Sequence, residues 1–296
     1  VNNRGLEISA LWKDRIGKDI GYYVSANVAT LRNRLTNIGA ANPDGSKPVW
    51  TYEDDYHYKE LTPYRSSEGK PLYSYYLLRT DGVFQTDAEA AAYVNSNGQR
   101  LQPKAKAGDL KFVDIDQNGS IGEGDYEFRG NAMPKMTYAF SAGFSYKKFS
   151  FDFMLQGSYG AKLFNAYKYT TLNEAVGSFN RSEKILKALE GPTYDVPRIS
   201  MPDDNDNFGR ISDWYLESGS YLRMKNISIS YSFSDLLRKL AFFNQRQSTL
   251  DLTLSCDNLF TITPYSGIDP EVGGVGLDCG QYPVSRTISL GVKIKF

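Results

Sequence analysis

The sequence predicts an all-β fold, an antiparallel transmembrane β-barrel segment of about seven strands that belongs to a larger barrel and carries long extracellular loops. Three observations support this prediction. Apolar and polar residues alternate over runs longer than an ordinary soluble strand, and the connections between these runs alternate between short and long. The 296 residues also include 22 Tyr and 16 Phe. Tyrosine this abundant favours strands and membrane interfaces over helical bundles.

Each predicted strand places its apolar residues on one face and its polar residues on the other. The runs are, in chain order, "GLEISALWK" and "IGYYVSANVATL", "MTYAFSAGFSY" and "FSFDFMLQGSY", "KNISISYSF" and "TLDLTLSCDNLF", and finally "RTISLGVKIKF". They predict strands at about 4–13, 20–34, 135–147, 149–163, 219–233, 248–261 and 284–296. A tilted membrane-spanning strand needs about 9–11 residues, which each of these supplies.

The connections support a barrel rather than a soluble sandwich. Short ones are predicted near 14–19, 147–148 and 234–247, and long ones at 35–134, 164–218 and 262–283. Transmembrane barrels have short periplasmic turns and long extracellular loops. Because an odd set of strands leaves two open edges that cannot face lipid, we expect the chain to be part of a larger barrel.

Composition excludes several classes of function. Lys+Arg and Asp+Glu are both 34, so the net charge is zero and we expect no nucleic-acid partner. His57 is the single histidine, which excludes zinc motifs that need two. Two cysteines are too few for a disulfide framework. The sequence also has no apolar run long enough for a transmembrane helix.

The stretch "DIDQNGSIGEGD" has the ligand spacing of a calcium loop, with a glycine, Gly119, where a sharp turn is required. Its flanks show no helical period, so it is not an EF-hand. The predicted metal ligands are Asp114, Asp116, Asn118, the Ser120 carbonyl and Asp125. We expect a structural Ca²⁺, with Mg²⁺ as the alternative ion. The competing interpretation is a plain turn whose side chains cap their own backbone.

A tyrosine-rich stretch precedes this loop in the connection 35–134. Tyrosine rings stack on ligands and anchor interfaces. Tyr52, Tyr56, Tyr58 and Tyr64 are therefore candidates for contact with a substrate or a partner protein. Packing within the loop itself is the equally weighted alternative.

Several stretches resemble the C-terminal part of a SusC-like TonB-dependent outer-membrane transporter. They are "LLRTDGVFQT", "AGDLKFVDIDQNGSIGEGD", "GNAMPKMTYAFSAGFSYKKFSFDFMLQGSYG", "WYLESGSYLRMKNISISYSF", "DNLFTITPYSGIDPE" and "GQYPVSRTISLGVKIKF". The resemblance covers most of the chain in the order of the family.

The resemblance implies a 22-stranded barrel with an N-terminal plug, in the outer membrane of a Gram-negative bacterium. It also implies an importer of oligosaccharides or peptides, with a SusD-like surface lipoprotein as a lid and TonB acting through the plug. The chain would end in the periplasm, which places the three long connections outside the cell. We expect the plug and the remaining strands to lie elsewhere in a longer polypeptide, and we expect no enzyme activity.

The alternative is a secreted or surface glycan-binding β-protein stabilised by calcium. Such a protein would carry polar residues on its outer face. The predicted outer face carries Phe149, Phe151, Phe153 and Leu155 without interruption, which favours the transporter.

Overall fold

The computed structural model describes residues 1–52, 56–177, 179–233 and 249–295. The helices are α1 (Asp87–Ala92) and α2 (Tyr167–Leu172), with 3₁₀ turns at Glu123–Asp125, Glu183–Leu189 and Asp213–Tyr215. The strands are β1 (Asn2–Ile16), β2 (Ile20–Arg34), β3 (Val49–Thr51), β4 (Tyr64–Ser67), β5 (Ser74–Leu78), β6 (Thr80–Val83), β7 (Leu110–Phe112), β8 (Tyr126–Asn131), β9 (Met136–Tyr146), β10 (Phe149–Tyr159), β11 (Lys162–Asn165), β12 (Leu216–Ser218), β13 (Tyr221–Ser232), β14 (Thr249–Asp257), β15 (Thr261–Ile262), β16 (Leu277–Asp278) and β17 (Thr287–Lys295).

Seven long strands form one antiparallel sheet in the order β1-β2-β9-β10-β13-β14-β17, which we call the wall. All seven predicted strands are confirmed, with ends that differ by a few residues. The first strand is longer than predicted, Asn2–Ile16 instead of 4–13. The fourth and sixth are shorter, Phe149–Tyr159 and Thr249–Asp257. The connection predicted at 234–247 and the terminal Phe296 lie outside the described residues.

Cross-strand register gives the wall one apolar and one polar face. Phe151 lies opposite Phe144 on one neighbouring strand and Ile229 on the other. This apolar face is open, with Ile229 42% and Leu290 73% exposed. An exposed apolar surface that runs across seven strands is far larger than a soluble monomer presents to water, so it requires an apolar environment or a covering partner.

The other face of the wall is polar and internally bonded. The Tyr23 hydroxyl donates to Asp152 at 2.9 Å, across two strand boundaries. Ser230 and Thr253 share a hydrogen bond of 2.8 Å. Such pairs satisfy polar side chains on a face that lines a barrel lumen.

The wall is open at both ends of its strand order. Within the described residues β1 pairs only with β2, and β17 pairs only with β14. This agrees with the expectation that an odd number of strands forms part of a larger sheet. No helix in the described ranges is long and apolar enough to cross a membrane.

The three long connections, 35–134, 164–218 and 262–283, share one hydrophobic core, and we call them together the loop domain. Tyr75 and Leu77 from the first pack with Phe164 and Tyr215 from the second, and Leu277 from the third lies against them. The sequence predicts 35–134 as a long loop insertion, and in the structure its side chains pack with segments that are distant in the chain.

A buried polar cluster fastens the first two connections together. Asp109 is fully buried and accepts from the Nε of Arg198 at 2.8 Å and from its Nη2 at 3.0 Å. The side-chain amide of Asn207 donates to the same carboxylate at 2.8 Å. Because a buried carboxylate is costly unless it is paired, these donors fix how the two connections meet.

The third connection is tied to the wall by a buried arginine. Arg223 of β13 is 2% exposed and donates to Asp269 and Glu271, each at 2.6 Å. Its Nε also donates to Thr261 at 2.8 Å. These bonds hold the segment 269–271 against the polar face of the wall.

Candidate metal site and loop-domain cavities

The predicted calcium loop, 114–125, lies between β7 and β8 in the loop domain. It ends in the 3₁₀ turn Glu123–Asp125. Gly119 has a φ of +86°, a left-handed conformation that costs a side chain more than glycine. The turn at this position is therefore the one that the sequence spacing requires.

Three of the five predicted ligands come together. Carboxylate oxygens of Asp114, Asp116 and Asp125 all lie within 4.8 Å of one another. Carboxylates this close repel one another unless a cation or hydrogen-bond donors offset their charge. The arrangement offers oxygen ligands only, which is the set that Ca²⁺ prefers.

Backbone N–H groups hold each of these carboxylates in place. Asp125 is fully buried, and its Oδ1 accepts from the N–H of Ile115 at 2.6 Å while its Oδ2 accepts from Gly122 at 2.7 Å. Asp116 accepts from the N–H of Asn118 at 3.0 Å. These bonds preorganise the loop, and they also match the alternative of a self-capped turn.

Asp114 differs from the other two carboxylates. Its Oδ2 accepts from the Gly119 N–H at 2.9 Å, but its Oδ1 is buried without a hydrogen-bond partner. A buried carboxylate oxygen without a donor is costly. A cation at this point would satisfy it, so the residues present fit a Ca²⁺ ion.

The remaining two predicted ligands are exposed beside the carboxylates. The Asn118 side chain donates to Asp116 at 2.8 Å, and its own oxygen accepts from the Ser120 hydroxyl at 2.7 Å. Asn95 donates to the Gly119 carbonyl at 3.1 Å and anchors the loop from outside. Sequence spacing did not identify Asn95, because it lies 24 residues away in the chain.

The four candidate tyrosines lie in or against the core of the loop domain. Tyr64 is 1% exposed, and its hydroxyl donates to the Val275 carbonyl at 3.2 Å. Burial raises the pKa of Tyr64 far above its ordinary value, so the hydroxyl stays protonated as a donor. This placement favours packing over ligand contact for Tyr64.

Tyr52, Tyr56 and Tyr58 are half-buried around the same core. The ring of Tyr52 lies 4.6 Å from that of Tyr73, and the hydroxyl of Tyr58 donates to Thr170 at 3.2 Å. All three pack against this core and are partly exposed. Contact with a substrate or partner stays a prediction for these residues.

A cavity of about 700 Å³ that sequence analysis did not identify opens beside α2. Lys168 extends into it over the Trp214 ring, at 4.5 Å from the centroid, and pairs with Glu217 at 2.8 Å. Burial lowers the pKa of Lys168, although Glu217 acts against this shift. Burial alone would raise the pKa of Glu217, but the Lys168 ammonium holds it below its ordinary value. The aromatic floor with a fixed ion pair suits a polar ligand of moderate size.

Comparisons with known proteins agree with the predicted resemblance. No family model matches the chain. TonB-dependent receptor P3 of Formosa agariphila is 28% identical over 311 residues, which cover 100% of this chain and 29% of that protein. TonB-dependent receptor SusC of Bacteroides thetaiotaomicron is 22% identical over 300 residues, covering 100% of this chain and 26% of SusC. The chain thus spans less than a third of the length of these relatives.

Solved structures show the same fold. The RagAB peptide importer in its open-open state aligns with 99% of this chain and 28% of its own, with a TM-score of 0.71 and 22% identity. The closed-closed state gives a TM-score of 0.70 and 24% identity. Together the relatives and the fold confirm the resemblance to SusC-like TonB-dependent transporters and the partial β-barrel fold.

Proposed function

We propose that the chain is the C-terminal part of the barrel wall of an outer-membrane active importer. The observation that carries the proposal is the open apolar face of the seven-stranded wall, which alternates residue by residue with a bonded polar face. A membrane barrel needs this alternation, with lipid outside and a polar lumen inside. The relatives named TonB-dependent receptors match the whole chain, which supports the same assignment.

The connections give the orientation we propose. Two of the turns described are tight, between β1 and β2 and between β9 and β10. The loop domain extends from the opposite end of the wall. In barrels of this kind the short turns are periplasmic, so the loop domain lies outside the cell.

We infer that the complete importer takes up oligosaccharides or peptides. It would work with a SusD-like lipoprotein over the loop domain and be energised by TonB through the plug. The likeness to SusC and to the RagAB peptide importer supports this inference. The loop domain is large and preformed, and it offers cavities and half-buried tyrosines at the end where such a lid would bind.

The test is a deletion of the gene for the complete polypeptide, followed by growth on single oligosaccharides and on defined peptides as sole nutrient. Loss of growth on one nutrient class, restored by the wild-type gene, is expected. Co-purification of a surface lipoprotein with the tagged wild type is expected as well. Normal growth of the deletion strain on every nutrient would contradict the proposal.

A secreted glycan-binding β-protein is the second hypothesis from the sequence, and no feature of the described residues favours it. It would have to cover an apolar face formed by seven strands. Fractionation separates the two, because an importer sediments with outer membranes and needs detergent for extraction. The relatives are named as receptors rather than enzymes, which supports a role without catalysis.

We further propose that 114–125 binds a structural Ca²⁺ through Asp114, Asp116, Asn118, the Ser120 carbonyl and Asp125. Mg²⁺ is less suitable, because it demands a compact octahedral set and retains its waters. The ion would fasten the segment between β7 and β8, while the shared core orders the rest of the loop domain. Tyr126 directly follows Asp125, so bound Tb³⁺ should give sensitised luminescence that Ca²⁺ displaces. Equal Tb³⁺ luminescence from the wild type and from the Asp114→Asn, Asp116→Asn double variant would contradict the proposal.

A further inference from the structure

Three arginines lie together at the end of the first wall hairpin that adjoins the loop domain. In the register of β1 and β2, Arg4 stands directly opposite Arg32, and Arg34 stands opposite Asn2. Like charges directly across an antiparallel pair are destabilising unless something offsets them. This arrangement therefore calls for a counterion.

The described residues supply no carboxylate to these arginines. The arginines line a cavity of about 750 Å³ that also contains Lys47 and a single acidic residue, Glu68. Glu68 already binds the Lys47 ammonium and the Ile38 N–H. The cavity is therefore lined by four cationic side chains and one carboxylate, and that carboxylate already has its own partners.

The arginine pair lies on the apolar face of the wall. Arg4 and Arg32 share that face with Leu6, Ile8 and Val28, since successive residues of a strand alternate between faces. Leu6 and Ile8 are 61% and 58% exposed. Leu6 lies two residues, about 7 Å, from Arg4 along the strand. An anionic group at the arginines would thus have an apolar surface directly beneath it.

We propose that this cavity, which we call the arginine cavity, binds the phosphate of an outer-leaflet lipid headgroup whose acyl chains lie along Leu6 and Ile8. The inference depends on the proposed outer-membrane location and orientation. Arginine is suited to this role because its planar guanidinium binds phosphate oxygens through two parallel bonds. The position between apolar band and loop domain is the level of the headgroups in a membrane barrel. A free phosphate compound would use the same arginines but would make no use of the apolar surface below them.

The experiment uses the complete transporter, purified and delipidated, and titrated in nanodiscs with lipid A that carries two phosphates. Binding is read by native mass spectrometry. Arg4→Gln, Arg32→Gln and Arg34→Gln combined should weaken binding by about tenfold or more. The control removes three charges from the opposite end of the same hairpin, as Lys13→Gln, Arg15→Gln and Lys18→Gln, and should bind as wild type.

Two further arms identify the ligand. Dephosphorylated lipid A should bind the wild type as weakly as the triple variant binds the phosphorylated form. Excess inorganic phosphate should not displace lipid A. Complete displacement would identify the arginine cavity as a site for free phosphate and overturn the lipid assignment.

Equal lipid A binding by the wild type and the triple glutamine variant would overturn the inference. If that variant does not assemble into a heat-modifiable barrel, the Arg→Lys version of the three positions takes its place. The Arg→Lys variant keeps the positive charge but loses the paired guanidinium bonds, so it should bind lipid A more weakly than the wild type. Unchanged binding by this variant would contradict the inference. Nutrient uptake is measured in parallel, so a failure of lipid binding is separable from a failure of the proposed transport.

Discussion

The ion pair between Asp109 and Arg198 provides a quantitative test of how the loop domain is held together. Asp109 is fully buried and accepts from two nitrogens of Arg198, from the Asn207 amide and from the Lys106 N–H. Asp109→Ala would leave a guanidinium and an amide without their acceptor. Breaking a buried pair in this way costs about 3–5 kcal/mol.

The expected cost here is smaller, because the Arg198 side chain is still 22% exposed and water can reach it. We expect about 2–3 kcal/mol for opening of the loop domain. A cost of 2 kcal/mol raises the open population by about 30-fold. Arg198→Met should cost a similar amount, since it leaves the Asp109 carboxylate buried. The two substitutions together should cost clearly less than their sum.

Hydrogen exchange measures this directly. The Leu110 N–H donates to Asn207, and the Phe112 N–H donates to Gln102, so both amides report opening of the cluster. They should exchange about 30-fold faster in Asp109→Ala, while the amides of β10 in the wall keep their protection. Additive effects of the two substitutions, or equal loss of protection in the wall, would refute the reasoning.

Three further predictions follow from the wall, the metal loop and a buried carboxylate. Ile227→Lys, midway along β13 on the apolar face, should impair barrel assembly at a cost of about 2–4 kcal/mol, whereas the adjacent lumen-facing Ser228→Lys should assemble normally. Heat-modifiable migration distinguishes the two variants, and equal defects would contradict the face assignment. Calcium at about ten times its Kd should stabilise the loop domain by about 1.4 kcal/mol. The Asp114→Asn, Asp116→Asn variant should show no such stabilisation when hydrogen exchange is measured with and without calcium. Burial raises the pKa of Asp203 above its ordinary value, so the contribution of Asp203 to stability is most favourable in acid and is lost as the pH rises through the raised pKa. Asp203→Asn should therefore flatten the pH dependence of loop-domain opening. An unchanged pH profile in this variant would contradict the prediction.

The wall could be predicted from sequence because its signal is local. Alternation within "RTISLGVKIKF" or "FSFDFMLQGSY" is visible in a window of a dozen residues, and it fixes both the strand and its faces. The ends of the strands were less certain, since they depend on register with neighbours. The bulge in β13 at Lys225, opposite Met154 and Leu155 of β10, is one example, because it arises from the pairing of these two strands.

The loop domain could not be predicted, because its contacts join distant parts of the chain. The Tyr75 hydroxyl donates to the carbonyl of Gly276 at 3.1 Å, across 201 residues. No local pattern distinguishes a tyrosine that meets such a partner from one that faces solvent. Tyr64 was therefore grouped with its neighbours as a ligand candidate, although it lies in the core.

The metal loop could be predicted from the sequence in part. Its carboxylates are brought together by a 12-residue stretch, so spacing alone identified Asp114, Asp116 and Asp125 as neighbours. The support from Asn95 depends on tertiary structure and was missed. The cavity around Lys168 and Trp214 was missed for the same reason, because its walls come from two connections.

The central claim is that one face of the wall contacts lipid and the other lines a lumen, and spin-label accessibility along β13 tests it most directly. Single labelled cysteines replace residues 227–231 in turn in the complete transporter, reconstituted in liposomes, with the native cysteines changed to serine. Collision with oxygen, which partitions into lipid, should be high at Ile227, Ile229 and Tyr231 and low at Ser228 and Ser230. Oxygen accessibility with no two-residue period, or with the opposite phase, would contradict the assignment of this chain as a membrane barrel wall.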